Sequence, residues 1–127
     1  MIRGMESFTL FSEDAKKLAH FYQTKVGLKT TLEAEMGENG EEAYGFEMSE
    51  GNGLYIMDHS KVRGRSSEPE RIVFNLEVDD IEKEAKKLDE AGVKKIQDIY
   101  HMQGYGLIAT FEDLDGNYFQ LVQVRPS

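Results

Sequence analysis

The sequence predicts an α+β fold built from two βαβββ modules in tandem, on three observations. A run of strand, helix cap, amphipathic helix and glycine occurs twice. Each helix is followed by short β-rich segments separated by turn chemistry. The last of these pairs is joined by Asp115-Gly116-Asn117, where Gly and Asn accept positive φ and Asp bonds its own backbone.

In the first module Ser7-Phe8-Thr9-Leu10-Phe11 alternates as a half-buried strand does, and Ser12 is a suitable N-cap. The helix expected over 13–25 places Ala15, Leu18, Ala19, Tyr22 and Val26 on one face, and Gly27 ends it. Strands are then expected over 28–36 and 42–48, joined across Glu38-Asn39-Gly40, where Asn-Gly is a strong hairpin signal. Gly51-Asn52-Gly53 turns the chain into a fourth strand over 54–57.

The second module repeats the order. A strand over 73–78 leads to Asp79, with Glu82 three residues on in the arrangement of a capping box. Ile81, Ala85, Leu88 and Ala91 form the apolar helix face, and Gly92 is the terminator. Strands over 93–101, 107–111 and 118–123 complete the module. Modules 1–60 and 72–127 are joined by an exposed linker, 61–71, whose Lys61, Arg63 and Arg65 read better as linker charge than as a basic patch.

Composition narrows the function classes. With 127 residues the chain is one ordinary domain with enough core to fold without staples. The absence of cysteine removes disulfide and thiolate chemistry. A formal net charge of -9 disfavours nucleic acid and anionic lipid as partners, and mildly favours a cationic ligand. The N-terminus carries no apolar leader and no later run approaches a membrane span, so a cytoplasmic protein is expected.

An aromatic strand, Asp113-Leu114-Asp115-Gly116-Asn117, and a closing Tyr118-Phe119-Gln120-Leu121-Val122-Gln123 resemble the C-terminal signature of the vicinal oxygen chelate superfamily. That superfamily includes glyoxalase I, bleomycin-resistance proteins, fosfomycin-modifying enzymes and extradiol dioxygenases. The resemblance covers essentially the whole chain. It implies one glyoxalase-like domain, 1–127, whose modules form a curved open mixed β-barrel with the helices outside and a ligand cleft within. It also implies a homodimer.

Superfamily enzymes hold a divalent metal with cleft-facing side chains on the first and last strands of each module, commonly His, Gln or Glu. The resemblance puts these positions at Ser7, at Tyr55 or Met57, at Val73 and at Gln120. Valine has no donor, and the set carries no carboxylate to offset desolvation of a cation. No metal and no cofactor are therefore expected. His20, His59 and His101 fall on a helix, after a strand and near a strand end, and share no face. The glycine pairs Gly51/Gly53 and Gly104/Gly106 open no helix and so form no phosphate cradle.

Period-two alternation assigns Phe8, Leu10, Phe74, Leu76, Phe119 and Leu121 to the core beneath the helices. By difference Ser7, Thr9, Phe11, Tyr55, Met57, Val73, Asn75, Tyr105, Tyr118 and Gln120 are the candidate ligand-binding residues. Glu47 and Glu77 read first as strand-end carboxylates in water and second as a general base or partners of a cationic ligand. Apolar walls with a few orienting polar groups suit a small organic molecule, and the same positions fit a packed barrel centre. The leading expectation is a metal-free glyoxalase/bleomycin-resistance-like binder of a small organic molecule. The alternatives are a metal-dependent lyase or dioxygenase whose ligands lie elsewhere, and an interaction module without a ligand.

Overall fold

The structure, a computed structural model, describes residues 1–35, 37–50 and 52–124. The ends of the expected strand 28–36 and turn 51–53 that fall on Met36 and Gly51 lie outside the described residues. The chain divides into two compact units, Met1–Gly64 and Arg65–Ser127. The first contains β1 (Ser7–Ser12), α1 (Ala15–Phe21), β2 (Thr30–Glu35), β3 (Glu42–Phe46) and β4 (Gly53–Asp58). The second contains β5 (Val73–Glu77), α2 (Ile81–Glu90), β6 (Lys94–Met102), β7 (Gly106–Glu112) and β8 (Tyr118–Gln123). Each has one four-stranded mixed sheet, ordered β1-β4-β3-β2 and β5-β8-β7-β6. The opening strand of each unit lies parallel to its last strand, and the other pairs are antiparallel. A parallel neighbour needs a long crossover, which the helix and hairpin supply.

Both helices begin later than their expected caps. β1 runs through Ser12, which is buried and accepts the Asp14 N–H on Oγ at 3.0 Å. Asp14 is the cap, accepting the Lys17 N–H at 3.2 Å. In the second unit Val78 N still bonds Val122 O, so the chain has not yet left the sheet where a cap at Asp79 would require it to. Asp80 caps instead, accepting the Lys83 N–H at 3.2 Å, and the expected Asp79–Glu82 capping box does not form. The first helix also differs at its end, because residues Tyr22–Val26 widen into a π-helical turn. The N–H groups of Gly27 and Leu28 both reach the Tyr22 carbonyl at 3.0 Å, and Gly27 takes the left-handed φ of 89° that ends the helix.

Two side chains show which sheet faces the helices cover. Asp58, at the end of β4, accepts the Ala15 N–H on Oδ1 at 2.7 Å and the Glu42 N–H on Oδ2 at 2.9 Å. Gln123, at the end of β8, accepts the Ile81 N–H on Oε1 at 2.9 Å. Alternate residues of a strand share a face. Leu54 and Ile56 therefore lie under α1, and Phe119 and Leu121 under α2, and all four are buried. Of the six expected core residues, Phe119 and Leu121 are fully buried. Phe8, Leu10, Phe74 and Leu76 are only half-buried, and all four lie on β1 or β5, the outer strands of their sheets. Phe74 gains a stacked contact with Phe119, ring centroids 6.1 Å apart.

Asp113 is a centre of the β7–β8 turn that the sequence reading did not single out. The buried Asp113 carboxylate accepts the N–H groups of Asp115 and Asn117 on Oδ1, both at 2.9 Å, and the Asn117 side-chain amide on Oδ2 at 3.1 Å. The linker is fastened to this turn, with Ser66 N donating to Asp115 O and Arg65 donating to Leu114 O. No helix among the described residues is long and apolar enough to cross a membrane.

Candidate functional site

On the face of the first sheet turned away from α1, register aligns Thr9, Tyr55, Gly45 and Leu32 in one row. Phe11, Met57, Ala43 and Ala34 form the next, and Ser7 stands opposite Gly53. The Tyr55 ring lies across Gly45. A Cβ added there would stand 2.9 Å from Cε1 of that ring and 3.1 Å from the Leu32 Cβ. Gly45 is thus the floor on which the ring rests, and only glycine leaves the space. Phe11 is 47% exposed and meets His59 edge-on, with centroids 5.2 Å apart. His59 Nδ1 is occupied in accepting the Lys61 N–H.

On the corresponding face of the second sheet, the register forms a neutral polar row of Asn75, Gln120, Thr110 and Gln97, one residue from each strand. Within it Gln120 Nε2 donates to Thr110 Oγ1 at 3.0 Å. The row on one side holds Val73, Tyr118, Glu112 and Lys94. There the Glu112 carboxylate is matched by two cations, Arg65 at 3.1 Å and Lys94 at 3.7 Å. The row on the other side holds Glu77, Val122, Ile108 and Tyr100, of which the middle two are buried.

The expected ligand-binding residues thus divide between two faces. Ser7, Thr9, Phe11, Tyr55 and Met57 belong to the first unit, and Val73, Asn75, Tyr118 and Gln120 to the second. Tyr105 lies on no strand; it is 40% exposed in the β6–β7 turn, its N–H bonded to Met102 O. Glu47 stands just past the end of β3 and is exposed, and Glu77 is the last residue of β5 and exposed.

Three residues escaped the sequence reading. Thr110 was legible in principle as the one polar side chain inside the apolar run 107–111. Gly45 breaks the β-forming run 43–46, a sign of close approach to a strand. Tyr44 gave no signal, because its surroundings are assembled from three strands. Its hydroxyl donates to Glu42 Oε2 at 2.7 Å. Burial, that hydrogen bond and the charges of Glu42, Glu33 and Asp58 hold its pKa well above the ordinary tyrosine value. Tyr44 pairs with Ile56, which places it on the helix side of the sheet, and its role there is structural.

The positions where the resemblance puts metal ligands do not fit a metal. Val73 has no donor atom, Ser7 and Tyr55 would offer neutral hydroxyls, Met57 a thioether and Gln120 a single neutral amide oxygen. A divalent cation needs several convergent donors with anionic charge among them. Among the described residues no three of His, Asp, Glu and Cys come together in a way that could hold one.

The chain matches the family model for the Glyoxalase/Bleomycin resistance protein/Dioxygenase superfamily over residues 4–121. Among curated proteins none matches it in sequence. Similar solved structures include a hypothetical protein, SA1046, from S. aureus, with 25% identity and a TM-score of 0.70, covering 97% of this chain and 95% of that one. The fosfomycin resistance protein FosX from Listeria monocytogenes has 21% identity and a TM-score of 0.71, with 98% and 94% covered. TnmS3, an antibiotic binding protein from Streptomyces sp. CB03234, has 21% identity and a TM-score of 0.74, with 98% of each chain covered. At such identities the likeness to FosX and TnmS3 is one of fold.

Proposed function

Because the chain belongs to the Glyoxalase/Bleomycin resistance protein/Dioxygenase superfamily, we propose that it is a metal-free member that binds a small organic molecule on the helix-free faces of its sheets. The observation that carries this reading is the Asn75–Gln120–Thr110–Gln97 row. Of the positions where the resemblance expects metal-binding side chains, Gln120 lies in this row, and its neighbours there are two further neutral amides and a hydroxyl. Such groups orient an organic ligand by hydrogen bonding and do not offset the charge of a cation. Tyr55 on its glycine floor adds a flat apolar surface with a polar tip. Antibiotic resistance and antibiotic binding, named for the similar structures FosX and TnmS3, point to the same broad ligand class. On this reading the chain is one glyoxalase-like domain, acting as a cytoplasmic homodimer that takes no part in nucleic-acid or membrane binding.

A thermal-shift screen of small organic compounds tests it, run on wild type, Gln120→Leu and the triple variant His20→Ala, His59→Ala, His101→Ala. Binding should weaken in Gln120→Leu and survive in the triple variant. The opposite pattern would move the chemistry to the histidines. Elemental analysis after exposure to zinc, nickel, manganese and iron is the companion measurement. Stoichiometric metal that resists dialysis would replace this reading with a metal-dependent lyase or dioxygenase.

A further inference from the structure

We propose that Asn39 is a site of spontaneous deamidation, and that the fold opens this Asn-Gly pair to the reaction while shielding the other, Asn52-Gly53. The modification does not depend on what the sheets bind.

The chain contains two Asn-Gly pairs. In each, the backbone nitrogen of the glycine can attack Cγ of the asparagine before it, and no Cβ on the glycine crowds that approach. A bond forms between this nitrogen and Cγ, the Cγ–Nδ2 bond breaks, and ammonia leaves with the proton that the glycine nitrogen gives up. Water then opens the cyclic imide at one carbonyl or the other, leaving aspartate or isoaspartate. Water is consumed, ammonia is released, and no further reactant is needed. Ring closure requires the asparagine side chain and the following peptide to turn toward each other. The surroundings therefore decide which pair reacts.

Those surroundings differ sharply. Asn39 and Gly40 lie between β2 and β3, both exposed, and a Cβ added at Gly40 would meet nothing within 4 Å. Among the described residues the Asn39 side-chain amide makes no hydrogen bond, while its backbone N–H donates to Glu41 Oε2 at 3.1 Å. Gly53, by contrast, is the first residue of β4, half-buried and in register with Ser7. A Cβ there would stand 3.3 Å from the Phe46 carbonyl oxygen and 3.7 Å from the Tyr55 ring. That peptide cannot turn without leaving the sheet. Asp115-Gly116, which can close the same ring from its carboxyl group, is also held, since Gly116 N donates to Asp113 O at 3.1 Å and the Arg65 guanidinium covers the glycine. Reaction at Asn39 adds a negative charge beside Glu38 and Glu41, and like charges repel. Isoaspartate also lengthens the main chain between β2 and β3, the strands that carry Leu32 and Gly45.

The test incubates wild type in mildly alkaline buffer, once folded and once unfolded in urea. The tryptic fragment 30–61 holds both pairs, and electron-transfer fragmentation locates the conversion and separates aspartate from isoaspartate. In the folded protein Asn39 should convert roughly tenfold faster than Asn52 or more, because Asn52 must wait for local opening of β4. In urea the two rates should converge. Asn39→Gln, with a longer side chain that closes the ring poorly, should abolish conversion at position 39 and leave the rate at Asn52 as it was. Equal rates in the folded protein, or a faster Asn52, overturn the shielding by the sheet. Conversion of Asn39 in urea but not in the folded protein overturns the openness of the β2–β3 turn. An Asn39 that stays intact in both states overturns the proposal outright.

Discussion

Gln123 Oε1 accepts the N–H of Ile81 at 2.9 Å, joining the last strand of the second unit to the first residue of its helix, and Asp58 makes the equivalent bond to Ala15 at 2.7 Å. The first N–H groups of a helix have no partner within it. In both units a side chain from the strand parallel to the opening strand supplies one. Gln123→Ala should cost about 1 kcal/mol, the typical loss for a helix N-cap side chain. Asp58→Ala should cost more, about 2–3 kcal/mol, because the same carboxylate also accepts the Glu42 N–H and its bonds are charge-assisted. Urea denaturation midpoints measure both, and a smaller loss for Asp58→Ala would contradict the account.

Gly116 has φ of 81°, and a Cβ placed there would stand 3.2 Å from an Arg65 guanidinium nitrogen. Gly116→Ala should destabilise by about 1 kcal/mol or more from the backbone alone. Asp113→Ala should be the more damaging, since it removes three hydrogen bonds to a buried carboxylate. Thermal melts of the two variants should rank in that order.

Tyr44 makes stability depend on pH at the alkaline end. Its folded-state pKa is raised above the ordinary 10.0, first by burial and then by the hydrogen bond and charge of Glu42. The folded state therefore retains a proton that the unfolded state releases. The full contribution is present below the ordinary tyrosine pKa and is lost as pH rises through the folded-state value. Tyr44→Phe should lower stability by about 1 kcal/mol at neutral pH through the lost hydrogen bond. It should also flatten the alkaline decline. Denaturant midpoints across an alkaline pH series check both signs, and an unaltered alkaline slope would refute the assignment.

Gly45→Ala should tip the Tyr55 ring off the sheet, because the new methyl would stand 2.9 Å from Cε1. Forced overlap of this kind typically costs about 1–3 kcal/mol. The cost should shrink in the double variant with Tyr55→Ala, where the ring is gone, while the contact with the Leu32 Cβ persists. A double-mutant cycle by thermal melts reads this coupling. Purely additive effects would mean that the ring does not rest on Gly45.

The order of elements, the tandem repeat and the inner faces of β4 and β8 were legible from the chain alone, because they depend on local periodicity, glycine terminators and turn residues. Gly27, Gly92 and Gly116 each take positive φ where the pattern required it. Local pattern could not settle the helix caps. Whether Ser12 or Asp14 caps α1 depends on how far β1 stays paired with β4, and β1 stays paired through Ser12 and Asp58. Nor could it show that Phe8, Leu10, Phe74 and Leu76 would be only half-buried, since burial depends on a strand's place in the sheet as well as on its alternation. The same limit applied to the candidate site. Asn75 and Gln120 were assigned to one face by alternation, but Thr110 and Gln97 enter their row only through the register of β7 and β6, with bulges on either side of Gln97. Cross-strand neighbours lie far apart in the chain and become partners only when the ladder sets them opposite one another. The hydrogen bond from Gln120 to Thr110 exists for that reason.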